Sequence, residues 1–334
     1  MNVGVKLTGF AAVTAAVFGL AFGVGSLLDP IAPEDKVDLA MSDESGGGHA
    51  GMDMGGGSDE QPTTSPTPPA PAGEVPAVRA AELPGLAVSS RGYTLRVADV
   101  TPGQGDAVEV AFTVTSPDGG AVLNFDTVHE KQMHFIVVRR DMSNFQHLHP
   151  ERSDDGTWRT PVDLSDAGVY RVFADFSPAA LGETITLGAD VFVPGEYTPA
   201  ELPEPSSAWS DDGYEVTLGG TPVAGEEGEL TFTVKRDGVE VTDLESYLGA
   251  FGHLVSLRSG DLAYLHTHPA EEATGDQRGG PAIRFGTTFP TAGRYRLYLN
   301  FAHGGEVRTA EFTVEVPEGS GAPTVTTSDV HSGH

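Results

Sequence analysis

The chain has 334 residues, of which 48 are acidic and 19 are basic, so its formal net charge is −29, and it contains no cysteine. The charge argues against a polyanionic partner such as nucleic acid, because phosphate contacts need clusters of Lys and Arg. The missing thiols exclude disulfides, thiolate metal sites and cysteine nucleophiles, so any metal must bind nitrogen, oxygen or thioether ligands.

An apolar run over residues 7–28 is the first predicted element. About 22 residues at 1.5 Å rise can cross a hydrocarbon core of ~30 Å, which predicts a transmembrane anchor. Lys6 precedes the run and Asp29 follows it, so residues 1–6 are expected in the cytoplasm and the C-terminal domains outside it. A cleaved signal peptide is the alternative. The length of the run favours an uncleaved anchor and therefore a single-pass protein of the cell membrane.

Residues 29–84 are rich in Gly, Pro, Ser and Asp and poor in large apolar side chains. Such a segment cannot bury enough surface to offset the entropy of ordering, so it is predicted to be a disordered linker, and residues 319–334 a flexible tail. Within the linker, His49, Met52 and Met54 combine imidazole and thioether groups. This composition suits soft copper(I).

The rest of the chain is an internal duplication, predicted as repeat 1 over residues 85–200 and repeat 2 over residues 205–318. Four blocks recur in the same order: Gly92–Tyr93 with Gly213–Tyr214, Val110–Val114 with Leu230–Val234, His134–Pro150 with His253–Pro269, and Ala167–Phe176 with Ala292–Phe301. Each copy alternates apolar and polar residues over short segments that Gly, Pro or Asp turns separate. The pattern predicts an all-β protein of two tandem immunoglobulin-like β-sandwich domains.

Each repeat carries the pattern His-x12-His-x-His-Pro. Its members are His134, His147 and His149 in repeat 1, and His253, His266 and His268 in repeat 2. The outer histidines are symmetric about Asp141-Met142 and about Gly260-Asp261, which predicts a hairpin with a two-residue connection in each copy. The first and third histidines then face each other across the strand pair, and the second points to the same side because strand side chains alternate with period two. Three imidazoles are therefore expected to converge in each repeat.

The same predicted strand face carries large apolar residues, so we interpret it as the core side of each domain. These residues are Ile136, Val138 and Phe145 in repeat 1, and Val255, Leu257 and Tyr264 in repeat 2. Imidazoles clustered at an apolar end are costly to protonate, and neutral imidazoles suit a divalent transition metal. The alternative is a set of core-edge histidines that backbone carbonyls and neighbouring imidazoles satisfy.

Additional candidate ligands differ between the copies. His129 and Met133 precede the first triad, whereas His303 follows the Ala-Gly-x-Tyr-Arg block of repeat 2. The sequence therefore predicts two metal sites that are not equivalent.

Over about residues 85–318 the chain resembles bacterial exported, membrane-anchored proteins associated with copper or other heavy metals. Their duplicated β-sandwich domains carry a His…His-x-His-Pro motif followed by an Ala-Gly-x-Tyr-Arg strand, as at His147 to Pro150 and His266 to Pro269 here. The resemblance implies metal binding outside the membrane and supplies no established activity.

These observations favour a non-enzymatic, extracytoplasmic protein that binds or handles copper, with zinc as the alternative metal and no protein partner identified. One competing hypothesis is an envelope interaction or structural module whose histidines only pack. Another is a cupin-like metalloenzyme. Cupins usually place a Glu four or five residues after the second histidine of a His-x-His pair, whereas Glu151 follows His149 by two, and Glu271 and Glu272 follow His268 by three and four. The Gly-rich flanks of the cupin motif are also missing.

Overall fold

The computed structural model describes residues 83–319, apart from the side chains of His266 and His268. The predicted anchor over residues 7–28, the linker as far as residue 82 and the tail from residue 320 lie outside the described residues. His49, Met52 and Met54 lie outside them too. Within residues 83–319, no helix has the length and apolar character needed to cross a membrane.

Repeat 1 is built from short antiparallel strands. They are β1 (Ser89–Ser90), β2 (Tyr93–Val97), β3 (Val108–Thr115), β4 (Phe125–Asp126), β5 (His134–Arg139), β6 (Gln146–Leu148), β7 (Glu151–Arg152), β8 (Trp158–Val162), β9 (Gly168–Pro178) and β10 (Ile185–Val193).

Repeat 2 follows the same plan. Its strands are β11 (Ala208–Asp211), β12 (Tyr214–Gly219), β13 (Glu227–Arg236), β14 (Val239–Glu240), β15 (Leu244–Glu245), β16 (His253–Arg258), β17 (Tyr264–His266), β18 (His268–Pro269), β19 (Arg278–Gly279), β20 (Ala282–Thr288), β21 (Gly293–His303) and β22 (Glu306–Val316).

The strand order in repeat 1 is that of an immunoglobulin-like sandwich. One sheet runs β1-β2-β3-β8-β7, in which β2-β3-β8-β7 correspond to strands A-B-E-D of that fold and β1 is an additional edge strand. The other contains β10-β9-β5-β6, which correspond to strands G-F-C-C′. Repeat 2 has the matching sheets, β11-β12-β13-β20-β18 and one that contains β17-β16-β21 with β22 beside β21. The prediction of an all-β protein with two repeated sandwich domains is confirmed.

Each repeat has its own core between its two sheets. In repeat 1, Phe112 and Phe135 come from opposite sheets and stack with ring centroids 4.5 Å apart. In repeat 2, Phe232 and Phe312 meet at 5.4 Å. The inward residues alternate with more exposed ones along β3 and β13, because side chains of a strand point to opposite faces in turn.

The histidine hairpins have the predicted register. Phe135 pairs with Leu148 and Ile136 with His147 in repeat 1, and Val255 pairs with His266 in repeat 2. The predicted two-residue connections are wrong, because residues 140–145 join β5 to β6 and residues 259–263 join β16 to β17.

An aspartate side chain explains the wider turn in each copy. The Asp141 carboxylate accepts hydrogen bonds from the Ser143 amide and from Arg139, and the Asp261 carboxylate accepts one from the Ala263 amide. A carboxylate that binds backbone amides two residues ahead replaces the tight turn with a loop of its own.

The apolar face of each hairpin does not form the core of its own domain, so that part of the sequence interpretation is wrong. Ile136, Val138 and Phe145 pack against Val255, Leu257 and Tyr264 in a cluster that joins the two repeats, with Met142, Phe173, Leu202, Leu262 and Tyr298. The side chains of Phe135 and Val137 point the other way, into the repeat 1 core. Strand β5 is buried on both faces. The sequence of such a strand does not show which neighbouring layer covers each face.

The contact between the repeats is specific as well as apolar. The ring of Phe145 stacks on Tyr298 of repeat 2 with centroids 3.9 Å apart and planes 6° from parallel. The Tyr298 hydroxyl donates a 2.7 Å hydrogen bond to the Met142 carbonyl. Both repeats belong to one compact unit.

Candidate metal centre

The three histidines of repeat 1 converge at one end of this shared face. His134 begins β5, His147 lies in β6 and His149 comes directly after that strand. One ring nitrogen of each lies within 4.8 Å of the others. His134 is buried, and the other two are partly buried.

The His-x-His-Pro segment is the place where the chain crosses from one sheet to the other. Strand β6 pairs with β5, whereas β7, which begins two residues after His149, pairs with β8 of the opposite sheet. Pro150 sits buried at the crossing, and its lack of an N–H group suits a position that has left one ladder and not yet joined the next. The crossing thus holds His149 beside the other two imidazoles.

With the Asn300 amide oriented as in the structure, hydrogen bonds to the outer nitrogens indicate which ring nitrogens carry protons. The His134 Nε2 lies 3.0 Å from the Val128 carbonyl oxygen, and the His147 Nδ1 lies 3.0 Å from the Asn300 Oδ1. Both oxygens only accept, so both of these nitrogens donate. In neutral rings the remaining nitrogens, His134 Nδ1 and His147 Nε2, carry lone pairs. They face each other at 3.1 Å.

The third imidazole contributes a buried nitrogen. His149 Nε2 is buried and has no hydrogen-bond partner within the described residues. A buried polar atom without a partner is uncommon in native structures and calls for a physical explanation. One ring nitrogen of each of the three histidines lies within 4.8 Å of the others, and such a group of imidazoles is a donor set that suits a cation.

The electrostatics keep the rings neutral. Burial, together with the neighbouring His134 and His149, holds the pKa of His147 well below its ordinary value of 6.5. Burial, His134 and Lys131 lower the pKa of His149 to about 3. At neutral pH both imidazoles are therefore uncharged, which is the state that binds metals.

Repeat 2 takes part in the same cluster. The ring of His253 stacks on His134 with centroids 5.3 Å apart and lies 4.7 Å from His147. His129 lies 5.4 Å from His253 and 6.0 Å from His134. Asn300, which orients His147, also belongs to repeat 2. The triad predicted as the property of one domain therefore lies at the junction of two.

A buried carboxylate stands beside the cluster. Asp175 in β9 is the register partner of His134 and is 4% exposed. Its Oδ1 accepts a 2.7 Å hydrogen bond from the Thr186 hydroxyl, and its charge favours the protonated form of His147. A negative charge at this position also favours a bound cation.

Of the other predicted ligands whose side chains are described, only one lies near the cluster. His129 lies beside the cluster. Met133 is 1% exposed and packs in the repeat 1 core, because it precedes His134 and so points to the opposite face of the sheet. His303 does not join either, since it lies on the core face of β21, where its Nδ1 bonds to the Tyr214 hydroxyl at 2.7 Å and its Nε2 to Asp243 at 3.2 Å. The backbones of His266 and His268 lie in β17 and β18, and their side chains are outside the described part.

Sequence reasoning missed three residues around the cluster: Asp175, Asn300 and Tyr247. The first two occupy corresponding positions in the repeats, and each is a polar residue inside an otherwise apolar strand. A polar residue within an apolar strand indicates a buried hydrogen bond or a site, so the sequence does mark these two positions. Tyr247 of repeat 2 lies 6.5 Å from His149, and burial raises its pKa to about 12, so its hydroxyl stays protonated.

One family model matches both repeats. It is described as Domain of unknown function (DUF8832), and it covers residues 87–193 and again residues 208–318. No curated protein matches the chain.

Several solved structures resemble the chain at low identity. FdeC, an Escherichia coli adhesin, is 18% identical with a TM-score of 0.22, over 69% of this chain and 65% of the adhesin chain. Invasin, a bacterial integrin-binding protein, is 15% identical with a TM-score of 0.18, over 67% of this chain and 39% of its own. An I-band fragment of titin is 10% identical with a TM-score of 0.18, over 68% and 65%. These low TM-scores give no basis for transferring a function to this chain.

Proposed function

The chain belongs to the family described as Domain of unknown function (DUF8832), and from its histidine site we propose a non-enzymatic protein that binds a divalent transition metal. The observation that carries the proposal is the convergence of three imidazoles, with His134 Nδ1 and His147 Nε2 3.1 Å apart and one ring nitrogen of each histidine within 4.8 Å of the others. In the tautomers that donate to Val128 and to the Asn300 oxygen, both His134 Nδ1 and His147 Nε2 carry lone pairs, which repel in the absence of a cation. Metal–nitrogen bonds of about 2.0–2.1 Å place two ligand nitrogens roughly 3.0–3.4 Å apart, which matches the observed spacing.

The atoms behind the ligands support the same function. Histidines that bind metals donate their other N–H group to a carbonyl, a carboxylate or water, which fixes the ring and raises its basicity. His134 does so to the Val128 carbonyl, and His147 to the Asn300 side chain.

Among metals, we propose copper first and zinc second. The described donors are imidazole nitrogens without thiolates, and divalent copper binds such donors most strongly among the first-row divalent ions. Three imidazoles with an open fourth position also suit zinc. The predicted span over residues 7–28 supports a location outside the cytoplasm, with the protein anchored to the cell membrane. There the linker residues His49, Met52 and Met54 offer ligands that suit copper(I).

A metal titration of the full chain in mild detergent tests this function. The starting protein carries His49→Gln, Met52→Leu and Met54→Leu, so that the linker cannot contribute. We expect stoichiometric Cu(II) binding in competition with a chromophoric chelator, and a loss of at least ~100-fold in affinity on His147→Ala. His303→Gln is the matched control, because this histidine lies on the core face of its sheet, away from the cluster. The Cu(II) affinity of this variant should equal that of the starting protein. An unchanged affinity in His147→Ala, or no binding of Cu(II) or Zn(II) by the starting protein, would refute the proposal.

A structural or interaction module is the second candidate, because the same contacts allow another assignment of the protons. If the Asn300 amide is turned, its Nδ2 donates to His147 Nδ1, His147 Nε2 then donates to His134 Nδ1, and Thr309 still bonds to the amide. The histidines then close a network that needs no metal and only supports the apolar contact between the repeats. Nitrogen NMR separates the two states, since the proton of His147 sits on Nδ1 in the metal site and on Nε2 in the closed network.

A further inference from the structure

We infer that the metal site belongs to both repeats, so that a bound ion fastens the two domains together. This inference rests on the proposed function. It assigns the site of His134, His147 and His149 to the junction of the repeats, and it makes metal binding and docking of the repeats parts of one equilibrium.

The first argument is the position of Asn300. Its Oδ1 accepts a 3.0 Å hydrogen bond from His147 Nδ1 across the junction, and its Nδ2 donates a 2.8 Å hydrogen bond to the Thr309 hydroxyl. Asn300 is 3% exposed and lies opposite His253 in the sheet of repeat 2. The orientation of a repeat 1 ligand is thus set by repeat 2. Asn300 is a positioning residue, and outer residues of this kind typically change metal affinity 10–100-fold.

The second argument is the seating of His253. Its ring lies flat against His134, with 11° between the planes, and also approaches His147 and His129. The ring of His253 thus contacts the triad from repeat 2, and His149 contacts His134 and His147 from the crossing segment. If the repeats separate, the triad keeps its three rings but loses both His253 and the acceptor for His147.

The third argument is the layer beneath the cluster. The same two sheets are joined by Ile136, Val138, Val255 and Leu257, with the Tyr298 hydroxyl bonded to the Met142 carbonyl. The histidines continue this contact at its polar end. A ligand that binds only the docked form shifts docking by the factor 1 + [L]/Kd, so about 100-fold at a free metal concentration of 100 Kd.

The affinity arm of the test uses the full chain without the linker ligands. Asn300→Ala is expected to weaken Cu(II) binding 10–100-fold. Asn300→Asp keeps an acceptor oxygen, as in the corresponding Asp175 of repeat 1, and should restore affinity to within a few fold. His253→Gln should weaken binding about 10-fold or more and change the nitrogen couplings in the electron paramagnetic resonance spectrum, whereas His303→Gln should change neither. Circular dichroism in chelator checks that each variant is folded.

The docking arm measures the distance between the repeats. Because the chain has no cysteine, Asp154→Cys in repeat 1 and Glu240→Cys in repeat 2 place two dyes on exposed turn and edge positions. We expect Zn(II) to raise the urea concentration at which energy transfer between the dyes is lost, and Asn300→Ala to remove that increase.

The outcomes separate the two proposals. If the wild type binds no metal, the proposed function fails and the coupling with it. If the wild type binds through His147 but Asn300→Ala and His253→Gln bind equally well, and metal leaves the urea midpoint unchanged, the function stands and the shared site is overturned.

Discussion

At the residue scale, the cluster lowers the basicity of its own members. The pKa of His149 falls to about 3 and that of His147 lies well below 6.5, chiefly because burial penalises the charged ring and next because neighbouring imidazoles oppose its charge. In an unfolded chain these rings return to their ordinary value. Between pH 6.5 and about 3 the unfolded state therefore binds more protons than the folded one.

The sign of the pH effect follows from this difference. The stability that the neutral imidazoles contribute is complete above pH 6.5 and is lost as the pH falls towards about 3. We expect metal-free protein in chelator to show a declining free energy of unfolding between about pH 7 and pH 4.5, measured by urea denaturation. The double variant His147→Gln, His149→Gln should show a shallower decline. Equal slopes in this variant and in a His303→Gln control would contradict the assignment.

At the element scale, the wide turn between β5 and β6 depends on one carboxylate. Asp141 pairs with the buried Arg139 at 3.0 Å and accepts hydrogen bonds from Ser143 and from the Ala200 amide. Hydrogen bonds from these groups outweigh its desolvation, so the pKa of Asp141 lies below its ordinary value. Its removal leaves the Arg139 guanidinium buried without its main counter-charge.

We expect Asp141→Ala to lower the free energy of unfolding by about 2–4 kcal/mol, because breaking one side of a buried pair costs more than the pair contributes. The exposed pair of Glu109 and Arg159, 3.8 Å apart, offers a control. Glu109→Ala should cost below about 1 kcal/mol. Thermal and urea unfolding measure both. A loss at position 141 no larger than that at position 109 would show that the turn does not depend on the carboxylate.

The register, the turn and the apolar face of the histidine hairpins differ in how well the sequence predicts them. The register that brings His134, His147 and His149 together could be predicted, because strand pairing and period-two alternation are local rules. The length of the turn was not predicted, because the symmetry of the outer histidines gives the register but does not show that the Asp141 and Asp261 carboxylates bind the amides two residues ahead. The residues that cover the apolar face could not be predicted either. The pattern predicts that Ile136 and Val255 are buried, but it is the same whether the covering layer belongs to the same domain or to the next.

At the scale of the whole molecule, the repeats form one unit through a second, shared layer of packing. The Tyr298 ring on Phe145 and its hydroxyl on the Met142 carbonyl give that layer a defined geometry. The two sandwich cores lie on the other faces of the same sheets. Each domain can therefore keep its own core when the shared layer is disrupted.

We accordingly expect Ile136→Asp, at a fully buried position of the shared layer, to separate the repeats without unfolding them, because a carboxylate buried among apolar side chains ionises only if water reaches it. Small-angle X-ray scattering should show a larger radius of gyration, and circular dichroism should retain the β signal. Metal affinity should fall together with docking, although residue 136 is no ligand. Val239→Asp, at a position that is 69% exposed, introduces the same charge outside the layer and should change none of these quantities. A compact Ile136→Asp chain with normal metal affinity would mean that the shared layer does not hold the repeats together.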